Sequence, residues 1–161
     1  MDAAITIEPV DPTSTAARQA LRSYLDDVAS RYYGRPATPA EVDAAIVEHP
    51  SDDLVAPHGV FLLAADGDDV CGCVGLAWVD DRFGEVRRLH VTPHARRVGL
   101  GRRLMTEVEQ HARRMGMTEL RLDTRRDLVE SQRLYESLGY REIPPYSGGP
   151  YSDHWYSKPL A

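Results

Sequence analysis

Between Glu85 and Met115 the hydrophobic period of this chain changes once, and abruptly. Residues Glu85–Val91 alternate, with Val86, Arg88 and His90 set against Arg87, Leu89 and Val91, which is the period of a strand. Pro93 ends it. After the loop Arg96-Arg97-Val98-Gly99-Leu100-Gly101, the residues Leu100, Leu104, Val108, Ala112 and Met115 recur at helical spacing, and Gly116 closes a helix over Arg102–Met115. Leu120 and Leu122 then share one face of a further strand, Glu119–Asp123. A strand, a two-glycine loop, an amphipathic helix and a strand form a β-α-β unit, so the chain is expected to be an α/β (α+β) domain built on a mixed sheet. The same loop is a recurrent way to hold a phosphate, because exposed backbone N–H groups and the positive end of the helix point at the anion. Neither the P-loop nor the three-glycine dinucleotide pattern is present, and taken alone Arg-x-x-Gly-x-Gly fits an ordinary loop equally well.

The flanking segments have their own periods. Ile5 and Ile7 mark a short opening strand, Ile5–Glu8. Ala17, Leu21, Tyr24, Leu25 and Val28 set a helix over Thr13–Tyr33 that Gly34 and Pro36 stop. Thr38 as N-cap, Pro39 at the first helical position and Glu41 three residues after the cap predict a second helix, Pro39–Glu48. Val60–Ala65 reads as a buried strand, Asp66-Gly67 as a turn, and Val70–Val79 as the antiparallel partner. Within that partner Gly72 and Gly75 favour a bulge over a close approach to the backbone. A helix over Leu128–Leu138, capped by Gly139, carries Leu134, Tyr135 and Leu138. Strands Tyr140–Ile143 and His154–Leu160 follow, parted by the loop Pro144–Asp153. No repeat, low-complexity tract or linker interrupts the 161 residues, so one domain over 1–161 is expected.

Composition narrows the class further. With 42% hydrophobic and 27% charged residues the chain is neither disordered nor disulfide-stapled. Val70–Val79, the longest run free of strong polarity, is about half of what a membrane span needs. Met1-Asp2-Ala3-Ala4-Ile5 has no basic region of a secretory signal, so a soluble cytoplasmic protein without a membrane partner is expected. Cys71 and Cys73, two apart on one strand, should project from the same face, too close in sequence for an easy disulfide and too few for a zinc site. Residues 1–80 carry a charge balance of −10 and residues 81–161 one of +4, together the net −6. Between Arg87 and Arg103 lie six arginines and no carboxylate, the local signature of a polyanion site or simply of a solvated face. The overall negative charge argues against nucleic acid. Lys158 is the lone lysine, which we attribute to coding bias.

Three motifs in order carry more weight than any one. Gly84-Glu85-Val86-Arg87-Arg88-Leu89-His90-Val91-Thr92-Pro93, then Arg96-Arg97-Val98-Gly99-Leu100-Gly101-Arg102-Arg103-Leu104, then Leu134-Tyr135-Glu136-Ser137-Leu138-Gly139-Tyr140 strongly resemble the GNAT superfamily of N-acetyltransferases. The final Asp153-His154-Trp155-Tyr156-Ser157-Lys158-Pro159-Leu160 looks like that family's last strand, and the resemblance spans about Val60 to Ala161. It implies a mixed, mostly antiparallel twisted sheet flanked by helices, with the β-α-β unit at its centre as the cofactor unit. It also implies acetyl-CoA as co-substrate, and no metal. The pyrophosphate would sit on the backbone amides of Arg97, Val98, Gly99, Leu100, Gly101 and Arg102, with Arg96 opening the motif. The pantetheine arm would run beside Leu89, His90 and Val91, where two strands splay, and the Val91 N–H would polarise the thioester carbonyl.

Amine attack on a thioester needs no Ser or Cys nucleophile, only two proton transfers. Tyr135 stands where the family keeps the acid that protonates the thiolate; the other reading is an amphipathic core tyrosine. Glu85 is the candidate base, directly or through a water; the other reading is a surface carboxylate paired with Arg87. His90 and His94 share no third ligand by spacing, so they read as satisfied or solvent-facing histidines. Two positions depart from the family: Leu128 stands where many members have Asn, and Ser131 where Ala is frequent, so a cofactor hydrogen bond is absent or comes from elsewhere, with Arg125 the candidate. The acceptor is expected to be a small-molecule or peptide amine, and the acidic N-terminal half favours a cationic one. Tyr24, Tyr32, Tyr33, Tyr146 and Tyr151 are candidates to line its cleft, or are ordinary aromatics. Two other readings stay open: a non-catalytic acyl-CoA-binding or regulatory module of the same fold, and a nucleic-acid binder using the arginine cluster. A homodimer is compatible with the sequence, and nothing in it fixes one.

Overall fold

The computed structural model describes residues 4–96 and 98–160. The opening strand β1 is Thr6–Pro9. Helix α1 is Thr15–Tyr33, its first turn capped by the Ser14 hydroxyl, which accepts from the Ala17 N–H; Gly34 at φ 70° ends it. Helix α2 is Pro39–Glu48, with the full reciprocal cap between Thr38 and Glu41 that the sequence predicts. Three strands then meander: β2 Gly59–Asp66, β3 Asp69–Trp78 and β4 Phe83–Val91. A single 3₁₀ turn, Pro93–Ala95, leads to α3, Leu100–Arg114. The rest is β5 Glu119–Thr124, α4 Val129–Ser137, β6 Arg141–Ile143 and β7 His154–Pro159.

All seven strands join one sheet in the order β1-β2-β3-β4-β5-β7-β6, antiparallel everywhere except between β4 and β5. This is the mixed, mostly antiparallel architecture with a central β-α-β unit that the motifs imply. The faces of the sheet bury different partners. On one, Leu62, Val74, Leu76 and Leu120 pack against the α3 stripe Leu100, Leu104, Met105, Val108 and Ala112. On the other, Phe61, Leu63, Cys73 and Ala77 pack against Ala17 and Ala20 of α1 and against Leu54. No helix among the described residues is long and apolar enough to cross a membrane.

Two strands break the strict alternation that the sequence suggests, for one physical reason. Ala64 pairs with Gly72 while Ala65 pairs with Val70, so Cys71 is an extra residue on β3. Beyond this bulge the faces exchange: Cys71 joins the α3 side and Cys73 the α1 side, not one common face, and both thiols are free. Gly72 serves the tight backbone approach as well, since a Cβ there would lie 2.5 Å from the His90 carbonyl oxygen. A second bulge lies on β4. Gly75 pairs with Arg87 and Cys73 with His90, leaving Arg88 and Leu89 opposite Val74 alone. Arg88 takes a left-handed backbone at φ 59°, the one non-glycine residue to do so among those described. As a result Leu89 and Val91 pack with Val86 on the α3 side instead of lying on the face opposite to it.

Candidate active site

The β4 bulge sits where β4 and β5 part. Their parallel pairing covers only Phe83, Gly84 and Glu85 against Glu119, Leu120 and Arg121. Past that point β5 stays paired to β7 as far as Thr124, and β4 to β3 as far as Val91. The crevice between them opens into a cavity of about 460 Å³. Its floor is Val86, Arg87, Arg88 and Leu89 of β4 with Asp123 and Thr124 of β5. Leu128, Ser131 and Tyr135 of the α4 region close one side, and Tyr24, Tyr32 and Tyr33 of α1 the other.

The helix α3 begins beside this crevice. Its N-cap is Gly99 at φ 76°, and no side chain bonds the first-turn amides, so those N–H groups stay open to an anion. The two motif glycines act differently. A Cβ on Gly99 would meet nothing within 4 Å, so glycine serves the left-handed turn there. A Cβ on Gly101 would lie 3.2 Å from Leu134 Cδ2, so there it is space that matters.

The remaining loop residues separate into backbone and side-chain roles. Leu100 is buried in the core, which leaves only its N–H for a ligand, while Val98 is exposed. Arg96 turns away from the loop: its Nε donates to the Val91 carbonyl at 2.9 Å and its Nη2 lies 3.3 Å from Asp27 Oδ2. Arg102 donates to Ser137 Oγ at 2.8 Å and Arg103 to the Ile5 carbonyl at 2.9 Å. Arg97 lies outside the described residues. The described arginines of the cluster therefore spread over several partners.

Tyr135 is buried, touching Tyr140 and Tyr156 ring to ring at 6.0 and 6.2 Å. Burial raises its pKa far above the usual phenol value, and the neighbouring Tyr24 and Asp123 push the same way, so at neutral pH it keeps its proton. His90 is buried too, within 2.9 Å of Ser23 Oγ; burial pushes it down to about 4, so the ring is neutral and packs toward α1. Glu85 does not line the cavity. Its carboxylate lies 3.3 Å from Arg87 and 3.9 Å from Arg121, the pairing with Arg87 that the sequence left open. Of the three carboxylates that line the cavity, Asp123 is the one on a parting strand, and it accepts from Ser152 Oγ at 2.7 Å and Ser147 Oγ at 3.2 Å. In the sequence Asp123 is only the last residue of a strand; its place at the splay is set by register, which spacing does not carry.

Tyr24, Tyr32, Tyr33 and Tyr151 all line the cavity, and Tyr32 meets Tyr33 and Tyr151 edge to face. Tyr146 is elsewhere, stacked 4.0 Å beneath Arg121. Leu128 and Ser131 do face the cavity, and α4 starts without a side-chain cap. Arg125, the candidate substitute donor, lines it as well, with Nε and Nη2 bound to Asp127 at 2.9 and 2.8 Å. His94 has neighbours that sequence spacing could not reveal: Asp69 and Cys71 offer ligand atoms within 4.8 Å of its own, one short of a tetrahedral set. The expected acidic bias does not reach the cavity, where Arg87, Arg88 and Arg125 face Glu41, Glu48 and Asp123 in equal number.

A model of the Acetyltransferase (GNAT) family matches residues 21–140. An uncharacterized N-acetyltransferase of Schizosaccharomyces pombe is 32% identical over 124 residues, 73% of each chain. An IAA acetyltransferase of Azospirillum brasilense is 35% identical over 99 residues, 61% of this chain and 63% of that protein. Among solved structures, a GNAT acetyltransferase from Staphylococcus aureus has a TM-score of 0.78 at 18% identity, covering 98% of this chain and 99% of its own. The PaiA N-acetyltransferase of Thermoplasma acidophilum, crystallised with coenzyme A, has a TM-score of 0.73 at 19% identity, covering 96% and 99%.

Proposed function

Because this chain belongs to the GNAT family of acetyltransferases, we propose that it transfers an acetyl group from acetyl-CoA to a primary amine by direct attack within a ternary complex. The observation that carries the reading is the conjunction around the splay of β4 and β5: a helix N-terminus whose Gly101 lies against Leu134 of α4 and Val91 of β4, a stretch of β4 that has left β5, and a buried protonated tyrosine lining the cavity between the strands. The residues fit the co-substrate. The open amides from Val98 to Arg102 would hold its pyrophosphate, and β4 from Leu89 to Val91 would take the pantetheine as an added strand. Bound there, acetyl-CoA supplies an activated acetyl thioester.

The chain's own groups then have separable tasks. The Val91 N–H stands to donate to the developing oxyanion. Tyr135 holds a proton for the departing thiolate. Asp123, with two serine hydroxyls on its carboxylate, is the group on the crevice that can position the incoming ammonium and take its proton; Glu85 can act only at a distance from the cavity. Arg96 braces the loop by holding the Val91 carbonyl and Asp27 together.

The test is release of free coenzyme A thiol from acetyl-CoA across an amine panel, in wild type and Tyr135→Phe. Tyr135→Phe should lower kcat by about 100-fold or more, the usual size of a general-acid contribution, with acetyl-CoA affinity nearly unchanged. Unchanged turnover would reject the acid role. Acetyl-CoA binding without thiol release on any amine would favour the non-catalytic module.

A further inference from the structure

The charges that line the cavity are not equally satisfied. Arg87 lies between Glu85 and Asp53, and Arg125 is bound bidentately by Asp127. Glu41 is clamped by both terminal nitrogens of Arg35 and by the Thr38 N–H. Glu48 is largely exposed and lies 3.8 Å from His49 Nε2, a cation only when protonated. On the two parting strands, two groups remain. Arg88 donates only to neutral oxygens, Ser51 Oγ at 3.2 Å and the His49 carbonyl at 3.4 Å. Asp123 accepts only from the two serine hydroxyls. Among the described residues, a guanidinium without a carboxylate and a carboxylate without a cation thus line one cavity, from the two strands that part to form it.

We propose that the acceptor is a small zwitterion, an amine that also carries a carboxylate, bound with the amine toward Asp123 and the carboxylate toward Arg88. This rests on the acetyl-transfer reading and adds the substrate class to it. Tyr24 lines the same cavity; burial raises its phenol pKa, and of the charges that reach it Arg88 lowers it and Asp123 raises it. Arg88 is also the residue that takes the left-handed backbone on β4. That conformation costs about 1 kcal/mol or more for a non-glycine side chain, and it is held by a residue that lines the cavity and whose guanidinium has planar carboxylate recognition as its strongest mode. The rim of Tyr32, Tyr33 and Tyr151 suits an apolar or aromatic body between the two charges. A decarboxylated amine would leave the guanidinium without its counter-charge, so the pocket discriminates by an unmet group.

The experiment is calorimetric titration, with and without coenzyme A, of amino acids and their decarboxylated amine counterparts. The proteins are wild type, Arg88→Gly and Arg88→Lys. Glycine accepts the left-handed backbone, so its loss of the side chain carries no strain. Wild type should bind at least one amino acid tenfold or more tightly than the matching amine. Arg88→Gly should abolish that difference and Arg88→Lys retain part of it. Amines or peptides that bind as well as free amino acids, no binding by any amino acid, or a preference that survives Arg88→Gly would each overturn the proposal. A separate acetyl-CoA titration of the same proteins distinguishes the two levels: loss of zwitterion selectivity with cofactor binding intact rejects only this inference, whereas no cofactor binding rejects the acetyl-transfer reading.

Discussion

His90 and Lys158 show how far a residue's role depends on what folds against it. His90 ends up buried against Ser23, with Asp27 Oδ2 4.0 Å away, and burial holds its pKa at about 4 against an unfolded value of 6.5. The folded state therefore binds the proton less readily than the unfolded one. Its contribution to stability is complete above pH 6.5, declines as the pH falls toward 4, and is gone below that. The difference is worth about 3 kcal/mol at most. Denaturant unfolding at pH 7 and pH 4.5 should show a smaller acid loss in His90→Gln than in wild type; equal losses would contradict the assignment. The sequence allows His90 to be a satisfied histidine, and it is one, but the partners of neither residue were legible in sequence context. His90 sits in an alternating strand whose partner helix lies far upstream. Lys158, which composition alone suggests is incidental, donates to the buried Glu109 at 2.9 and 3.1 Å, and the Tyr140 hydroxyl donates to the same carboxylate at 2.9 Å. A lone lysine was the counter-charge of a buried acid, and only the docking of β7 against α3 reveals it.

At the scale of elements, local chemistry was legible and the strand faces only in part. The reciprocal cap of α2, the stripe of α3 and the Gly34 stop of α1 follow from rules within four residues, and the structure reproduces them. Gly72 signalled the bulge on β3, which lies beside it, but nothing signalled the one on β4; the extra residues, Cys71 and Arg88, carry ordinary side chains, so the exchange of faces did not follow from alternation. The start of α3 gives a further check. Gly99→Ala should cost about 1 kcal/mol by forcing a Cβ into a left-handed turn, while its Cβ meets nothing. Gly101→Ala instead must displace Leu134 Cδ2 from 3.2 Å, and should weaken acetyl-CoA binding more than it weakens the fold. Thermal unfolding beside cofactor affinity separates the two; equal effects on both quantities in both variants would contradict the division of roles.

For the whole molecule, the order of three motifs predicted the mixed sheet because they fix its central β-α-β unit, with β4 and β5 parallel; the insertion of β7 between β5 and β6 was not legible in them. Charge was less transferable. The −10 of the first half is spread over exposed loops and capped helices, and the cavity receives as many arginines as carboxylates. Half-chain totals average over surface, whereas a cavity samples a few side chains chosen by topology. The central claim is that the loop from Arg96 to Gly101 and the parting of β4 from β5 form an acetyl-CoA site. Calorimetric titration of wild type and Gly101→Glu with acetyl-CoA, with ATP and NAD as controls, tests it most directly. Selective binding of acetyl-CoA by wild type, lost in Gly101→Glu, is the predicted result. No binding by wild type, or equal affinity in the variant, would contradict it.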